Sequence, residues 1–290
     1  MLQFKSEDLD KRDARRRRKE LLCSLSGLGR FLSAEEMNES LKFERKRKFI
    51  NDYIDSELLP YLKDSPAFNR DLIIHGFFKG IKFDKIENVQ AGIAQKLLGV
   101  YEVELKEHLE SLSSNKYDFI INIGAAEGLY SIAFEKIWPD CPVYSFEEDY
   151  HTRELLRKMC TLNNCKNIVV LEQFNLSSLE NIDSNKRGLI FSDCEGFEAK
   201  IFTVENLKKL RNCDLIIETH DHNAPGVTDA LLRDLVHTHA PQEKKLLSFA
   251  ERATLVDDEV FKNLDPQLQQ KMMDSSRNPL NRWVVALALL

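Results

Sequence analysis

Short apolar runs alternate with amphipathic stretches from Tyr117 onward, and this alternation constrains the fold more than any other feature of the chain. Five runs have the length and composition of β-strands: Asp118–Ile123, Val143–Phe146, Ile168–Leu171, Leu189–Ser192 and Leu215–Glu218. Helical periodicity predicts helices between and after them: Leu129–Ile137, His151–Leu162, Glu198–Leu210 and Thr228–His237. Strands that are apolar on both faces and separated by helices are typical of a parallel sheet covered on both sides. We therefore predict an α/β fold with a doubly wound, mostly parallel sheet.

Two more strands are predicted late in the chain, at Leu246–Phe249 and Trp283–Leu290. No convincing helix is predicted between them, so we expect a terminal antiparallel pair. Upstream, residues 49–115 are predicted to be mostly helical and to pack on the core. Their apolar residues recur at three- and four-residue steps: Ile93, Leu97, Leu98, Tyr101, Leu105 and Leu109. The predicted organisation is a charged helical arm over 1–48, this helical region, and a main domain over 116–290.

Composition excludes several classes of protein. The chain has 290 residues, of which 43% are hydrophobic, enough to bury a sizeable core. A membrane-spanning helix needs about 20 consecutive apolar residues, whereas the longest apolar run, Trp283–Leu290, has eight. The charged first 20 residues lack the apolar stretch of a secretory signal, and the six cysteines form no CxxC pair. We therefore expect a cytoplasmic protein with reduced thiols and no membrane span.

The charge of the chain is unevenly distributed. Residues 1–50 carry 14 Lys/Arg against 9 Asp/Glu, while the remainder carries 27 against 38. The basic residues cluster at Arg15–Lys19 and Arg45–Lys48. Such clusters are compatible with RNA or an anionic membrane surface as a partner. No aromatic residues are interleaved with the arginines to stack on bases, so a solvated helix face is the favoured interpretation.

A small-residue turn follows the first predicted strand of the main domain. Its sequence is Asn122-Ile123-Gly124-Ala125-Ala126-Glu127-Gly128. Small residues allow a tight turn and close approach of a ligand, and the helix that follows offers free N–H groups. A dinucleotide fingerprint would also require a glycine-like residue at position 129, which is Leu129. The negative charge of Glu127 is unfavourable for a pyrophosphate and tolerable for a ligand that carries a sulfonium.

An acidic residue lies at the end of the second predicted strand. Glu147 follows Gly124 by 23 residues. A carboxylate about 20 residues beyond a glycine turn, at the next strand end, is placed to accept hydrogen bonds from ribose hydroxyls. Asp149 more simply begins the next helix with a favourable negative charge. The spacing thus favours an adenosine-containing ligand.

Polar residues also follow two later strands. Asp193 and Glu195 come after Leu189–Ser192, while Glu218 and His220 end the next strand. Because neighbouring parallel strands end at one edge of the sheet, these side chains are expected to converge there. They could serve as a general base, as hydrogen-bond acceptors for substrate, or as an oxygen-rich metal site. Helix capping is the structural alternative.

Four segments together resemble class I S-adenosylmethionine-dependent methyltransferases, specifically the FkbM-like group. The segments are YDFIINIGAAEGLYSIAF, VYSFEED, DCEGFEAKIF and IIETHDH, within a match over residues 95–290. The resemblance implies a Rossmann-like, seven-stranded sheet whose last strand is antiparallel. It also implies that Gly124 and its neighbours line the methionine part of the cofactor and that Glu147 binds the ribose. Asn122 departs from the pattern, since many members have an acidic residue there.

The resulting hypothesis is an O-methyltransferase that uses S-adenosylmethionine and acts on a hydroxyl of a sugar or natural-product-like small molecule. Its predicted catalytic residues are Asp193, Glu195 and His220, with His220 as the base. Its predicted cofactor-binding residues are Asn122, Gly124, Ala125, Glu127, Gly128 and Glu147. A divalent metal between Asp193 and Glu218 is the alternative to a histidine base. A non-catalytic scaffold whose basic arm binds nucleic acid or an anionic surface is the competing hypothesis, and the oligomeric state is left open.

Overall fold

The computed structural model describes residues 59–62, 64–67, 72–82, 92–175, 185–274, 278 and 280–289. The predicted basic arm, residues 1–48, lies outside the described residues, as does the proposed contact of that arm with nucleic acid. The predicted helical region, 49–115, is described in part.

A seven-stranded sheet forms the centre of the described chain. Its strands are β1 (Phe119–Ile123), β2 (Val143–Phe146), β3 (Ile168–Leu171), β4 (Gly188–Ser192), β5 (Cys213–His220), β6 (His239–Lys245) and β7 (Asn281–Ala288). Their order is β3-β2-β1-β4-β5-β7-β6, and β7 runs in the direction opposite to the other six strands. Every residue of β1, β4 and β5 is buried, which explains the apolar runs within them. The predicted α/β sheet with an antiparallel last strand is confirmed.

The helices are short in the upstream region and longer between the first strands. They are α1 (Leu59–Leu62), α2 (Ile93–Leu97), α3 (Lys106–Leu112), α4 (Leu129–Ile137), α5 (Tyr150–Leu162), α6 (Glu198–Ile201), α7 (Val204–Lys209), α8 (Val227–Leu235), α9 (Phe249–Thr254), α10 (Glu259–Lys262) and α11 (Pro266–Met273). A 3₁₀ turn, Val103–Leu105, precedes α3. None of the helices in these ranges has the length and apolar character needed to cross a bilayer.

The continuous helix predicted over Glu198–Leu210 is wrong. The backbone leaves the helical conformation at Phe202, and the Thr203 side chain accepts a hydrogen bond from the Asn206 amide to begin α7. A threonine N-cap satisfies a free amide and favours a new helix start over continuation. Upstream, positive φ angles of 76° at Gly99 and 48° at Glu102 likewise interrupt the predicted periodicity.

The predicted strand at Leu246–Phe249 is also wrong, because β6 lies immediately before it and Phe249 begins α9. Ser248 and Glu251 form a capping box there, a strong helix-start signal. The sequence of β6, HAPQEKK, is polar because β6 is an edge strand with exposed side chains. Three short helices, α9 to α11, connect β6 to β7, where no helix was predicted.

The two faces of the sheet pack into separate apolar clusters, because successive residues of a strand point to opposite faces. Ile120 of β1 lies in one cluster with Phe134 of α4 and Leu97 of α2. Its neighbour Ile121 lies in the other cluster with Leu231 of α8. Part of the upstream segment therefore packs on the same face as α4, beside the carboxyl end of β1.

Candidate active site

A cleft of about 1150 Å³ opens at the carboxyl ends of β1, β2, β4 and β5. All but one of the predicted site residues line it: Asn122, Gly124, Ala125, Glu127, Glu147, Asp193, Glu195, Glu218 and His220. Gly128 does not line the cleft. It precedes α4 with a φ of 91°, and a Cβ there would lie 3.0 Å from Cγ of Leu156. Backbone conformation and packing account for this glycine without a ligand.

The glycine turn joins the ends of three strands. The amides of Gly124 and Ala125 both donate to the Phe146 carbonyl at the end of β2, each over 2.9 Å. On the other side, a Cβ on Gly124 would lie 1.8 Å from the Asp193 carbonyl oxygen after β4, and the φ of Gly124 is 75°. Glycine is therefore required here both for its conformation and for the close approach of the β4 backbone.

Glu147 closes the cleft between β2 and the glycine turn. One carboxylate oxygen accepts a hydrogen bond from the Ala126 amide and the other accepts one from the Asp149 amide, each at 2.9 Å. Burial raises the pKa of Glu147 above its ordinary value, although the two amide donors oppose that rise. The carboxylate is thus held in a fixed position against the turn, with one edge on the cleft.

Asn122 lies at the base of the cleft and is 1% exposed. Its Nδ2 donates to Oγ of Ser131 at 2.8 Å, and Ser145 donates to the same oxygen. Its Oδ1 has no hydrogen-bond partner among the residues that the structure describes. A buried acceptor without a partner is costly unless a ligand supplies the donor. The site therefore fits a ligand with an N–H or ammonium group at this point.

Glu127 is not an isolated negative charge. It forms an ion pair with Lys96 of α2, and the two side chains are 3% and 2% exposed respectively. Nζ of Lys96 also lies 4.9 Å from the centre of the Tyr101 ring. Both charged residues line the cleft. The sequence did not indicate Lys96, because a lysine within an amphipathic helix ordinarily faces solvent.

His220 is surrounded by carboxylates. Its Nδ1 lies 2.8 Å from Oε1 of Glu198, and its Nε2 lies 3.4 Å from Oδ1 of Asp193 and 3.5 Å from Oε2 of Glu195. The expected proximity of Asp193 and His220 is thus present. Both His220 and Glu198 are buried, whereas the Glu195 side chain is 79% exposed. Nε2 consequently faces the cleft, while Nδ1 faces the protein interior.

The charges around His220 alter its protonation. Burial lowers the pKa of His220, but the hydrogen bond to Glu198 and the charges of three carboxylates outweigh it, so the pKa lies above 6.5. Burial raises the pKa of Glu198, but the hydrogen bond and the charge of His220 outweigh it, so the pKa lies below 4.5. The two shifts agree in favouring an ionised pair.

Glu198, which contacts His220 in the cleft, was not among the predicted site residues. It was assigned to the start of a helix, and its contact with His220 depends on how α6 packs against the end of β5. The signal that could have found it is its place five residues after Asp193, in the turn that follows a buried strand. Asn281 of β7 was also missed; its Nδ2 donates to Oε1 of Glu218 at 3.0 Å.

Three side chains could hold a divalent cation. Ligand atoms of Asp193, Glu195 and His220 all lie within 4.8 Å of one another. Two carboxylates and an imidazole suit first-row divalent metals, and a carboxylate on the far nitrogen of a histidine is a common outer-shell arrangement. Glu218, which the sequence suggested as a metal ligand together with Asp193, lies outside this group and accepts a hydrogen bond from Asn281.

No protein-family model matches the sequence, and no curated protein matches it. Among solved structures, precorrin-6y C5,15-methyltransferase from Geobacter metallireducens has 12% identity and a TM-score of 0.41, over 64% of this chain and 86% of that chain. M. jannaschii TYW2 in complex with AdoMet has 11% identity and a TM-score of 0.37, over 64% and 75%. These values are too low to transfer a reaction or a substrate. Membership of the FkbM-like group stays a prediction.

Proposed function

We propose that this chain is an S-adenosylmethionine-dependent methyltransferase that methylates a hydroxyl of a small polyhydroxylated acceptor such as a sugar. The observation that carries the proposal is that one cleft combines two arrangements. Glu147 and the glycine turn form an acidic cradle suited to a nucleoside with a cationic side chain. His220, buried and oriented by Glu198, directs Nε2 into the same cleft.

The cofactor half of the cleft lies at the ends of β1 and β2. Glu147 would accept hydrogen bonds from the ribose hydroxyls, and Asn122 Oδ1 would accept one from the amino group. Gly124, Ala125 and Glu127 would border the methionine part. When bound, the cofactor would supply a methyl group on a positively charged sulfur, open to attack by an oxygen in line with the breaking bond.

The acceptor half lies at the ends of β4 and β5. Because Glu198 engages Nδ1, His220 would take the proton of the acceptor hydroxyl at Nε2. The resulting imidazolium would be stabilised by Glu198 and Asp193. Asp193 and Glu195 would also accept hydrogen bonds from neighbouring hydroxyls and so orient the acceptor. Transfer would then require neutral His220, and its rate would rise with pH through a pKa above 6.5.

The test measures S-adenosylhomocysteine released from S-adenosylmethionine in the presence of a fractionated small-molecule extract, with the methylated product identified by mass spectrometry. His220→Ala should abolish release, and His237→Ala should retain it, since His237 is exposed and does not line the cleft. Turnover by His220→Ala equal to that of wild type would refute the proposed base.

EDTA separates the two chemistries available to this cluster. A histidine base predicts release that is insensitive to EDTA and falls as the pH drops. A cation held by Asp193, Glu195 and His220 predicts loss of release on chelation and recovery with added Mg²⁺ or Mn²⁺. If added metal restores the release of S-adenosylhomocysteine, the histidine-base mechanism is wrong and methyl transfer is metal-assisted.

A further inference from the structure

Lys96 is the one lysine or arginine on the wall of the cleft, as far as the described residues extend. Nine carboxylate side chains share that wall: Glu102, Glu127, Glu147, Glu148, Asp149, Glu172, Asp193, Glu195 and Glu218. A negatively charged group on a ligand would be repelled almost everywhere in this cleft. His220 also lines the cleft, but three carboxylates surround its ring. Lys96 therefore carries the positive charge that is best able to attract a negatively charged group of a ligand.

The buried position of the Lys96–Glu127 pair also suggests a role other than stabilising the folded protein. Both side chains are at least 97% buried, and desolvating two charges offsets much of their mutual attraction. An apolar pair of similar size would stabilise such a position equally well or better. A buried pair on a cleft wall instead presents one positive and one negative group at fixed positions.

We infer that Lys96 and Glu127 together bind the α-amino acid end of the cofactor. The inference rests on the proposed function. A free α-amino acid group is a zwitterion, so its carboxylate can accept from Lys96 while its ammonium donates to Glu127. Asn122 Oδ1, buried and without a partner within the described chain, is a second acceptor for that ammonium. The opposed pair of charges thus complements the zwitterion and disfavours a ligand with only one of the two charges.

Tyr101 strengthens this assignment because its ring helps to fix the position of Lys96. The Tyr101 ring lies beneath Nζ of Lys96, and Glu102, with a strained φ of 48°, accepts a hydrogen bond from the Tyr130 hydroxyl. Both residues line the cleft. The ammonium of Lys96 is therefore held by the Tyr101 ring and the Glu127 carboxylate. Donor capacity is left for a ligand, because an ammonium has three N–H donors.

The test compares two ligands that share the adenosine and the thioether but differ at the amino acid end: S-adenosylhomocysteine and 5′-methylthioadenosine. Calorimetric Kd values are measured for wild type, Lys96→Met and Lys96→Arg. We expect Lys96→Met to raise the Kd of S-adenosylhomocysteine by about 10- to 100-fold, as for the loss of a charge-assisted hydrogen bond. Its effect on 5′-methylthioadenosine should be less than threefold, and Lys96→Arg should retain most of the affinity. Equal weakening of both ligands, or of neither, would overturn the inference.

Wild-type protein gives a second measurement that does not depend on the folding of a variant. It should bind S-adenosylhomocysteine at least tenfold more tightly than both 5′-methylthioadenosine and the decarboxylated form of S-adenosylhomocysteine. Equal affinity for all three would refute a zwitterion site while leaving the proposed function standing. Binding of none of them would refute the proposed function and this inference together.

Discussion

His220 is 1% exposed, yet three carboxylates lie within 3.5 Å of its ring nitrogens. Burial alone would keep this imidazole neutral, and the carboxylates reverse that preference. Glu198 contributes most directly, because it combines the shortest distance with complete burial. The protonation of His220 is therefore favoured most by a residue that itself faces the protein interior.

Glu198→Gln should lower the free energy of unfolding by an amount that depends on pH. The raised pKa of His220 gives stability that is full below 6.5 and is lost as pH rises through the folded pKa. The lowered pKa of Glu198 gives stability that is full above 4.5 and is lost as pH falls through the folded pKa. The difference between wild type and variant should thus be largest between pH 4.5 and 6.5, at about 3–5 kcal/mol for a broken buried pair.

Urea denaturation at several pH values measures this difference. Glu195→Gln is the matched control, since the Glu195 side chain is 79% exposed and its removal should change stability by less than about 1 kcal/mol. A destabilisation by Glu198→Gln that stays constant from pH 4 to pH 9 would show that the pair is not ionised in the folded protein.

Glu147 is the residue expected to distinguish an adenosine ligand. Glu147→Ala should make the binding free energy of S-adenosylhomocysteine less favourable by about 1.5–3 kcal/mol, the range for hydrogen bonds to a charged group. Glu154→Ala on the exposed side of α5, where the carboxylate pairs with Arg157, should leave the affinity unchanged. Calorimetry measures both, and equal affinities for wild type and Glu147→Ala would remove the ribose contact.

At the scale of secondary-structure elements, the site depends on strand ends that approach one another closely. The main contact is between the turn after β1 and the backbone after β4, where Gly124 faces the Asp193 carbonyl. The same contact fixes the distance between the two sides of the cleft, because Gly124 lies on the side proposed for the cofactor and Asp193 on the side proposed for the acceptor.

Comparing Gly124→Ala with Gly226→Ala distinguishes two effects on stability. One is the backbone strain of an alanine at positive φ, and the other is its overlap with a neighbouring strand end. Both glycines have a positive φ, but a Cβ at Gly226 has nothing within 4 Å, whereas one at Gly124 would overlap the Asp193 carbonyl. Gly226→Ala should cost about 1 kcal/mol of unfolding free energy from conformation alone. Gly124→Ala should cost about 1–3 kcal/mol more, from the displaced backbone. Equal losses in chemical denaturation would contradict the tight packing of β1 against β4.

The sequence predicted the elements whose signals are local. The bounds of β2, β3 and α4 agree with prediction residue for residue. The two strands are each followed by a glutamate, and the helix lies between Gly128 and Pro139. Strand β6 was missed because an edge strand needs no apolar alternation. The partnerships of Glu198 with His220 and of Lys96 with Glu127 join residues 22 and 31 positions apart, and no local pattern specifies which side chains will meet after folding.

At the scale of the whole molecule, charge is divided between a basic segment and an acidic remainder. Residues 1–50 hold 14 Lys/Arg against 9 Asp/Glu, and nine carboxylates line the cleft. This distribution favours a cationic cofactor in the cleft and disfavours an anionic acceptor such as a phosphorylated sugar or a nucleic acid strand.

Replacement of the four arginines Arg15–Arg18 by glutamine should leave the affinity for S-adenosylhomocysteine unchanged within twofold. The reason is that the cofactor contacts proposed above all come from residues 96–147. The same variant and wild type are compared for binding to a single-stranded RNA at increasing salt. Strong wild-type binding with a steep salt dependence that the variant lacks would favour the nucleic-acid alternative.

Equilibrium dialysis against methyl-labelled S-adenosylmethionine measures whether the cleft binds this cofactor, and it requires neither an acceptor nor a heat of binding. We expect one mole of cofactor bound per mole of protein, displaced by S-adenosylhomocysteine and not by NAD. Leu129 disfavours NAD because a dinucleotide fingerprint requires a glycine-like residue at that position. No retention of the label at millimolar concentration, or displacement by NAD as readily as by S-adenosylhomocysteine, would contradict it.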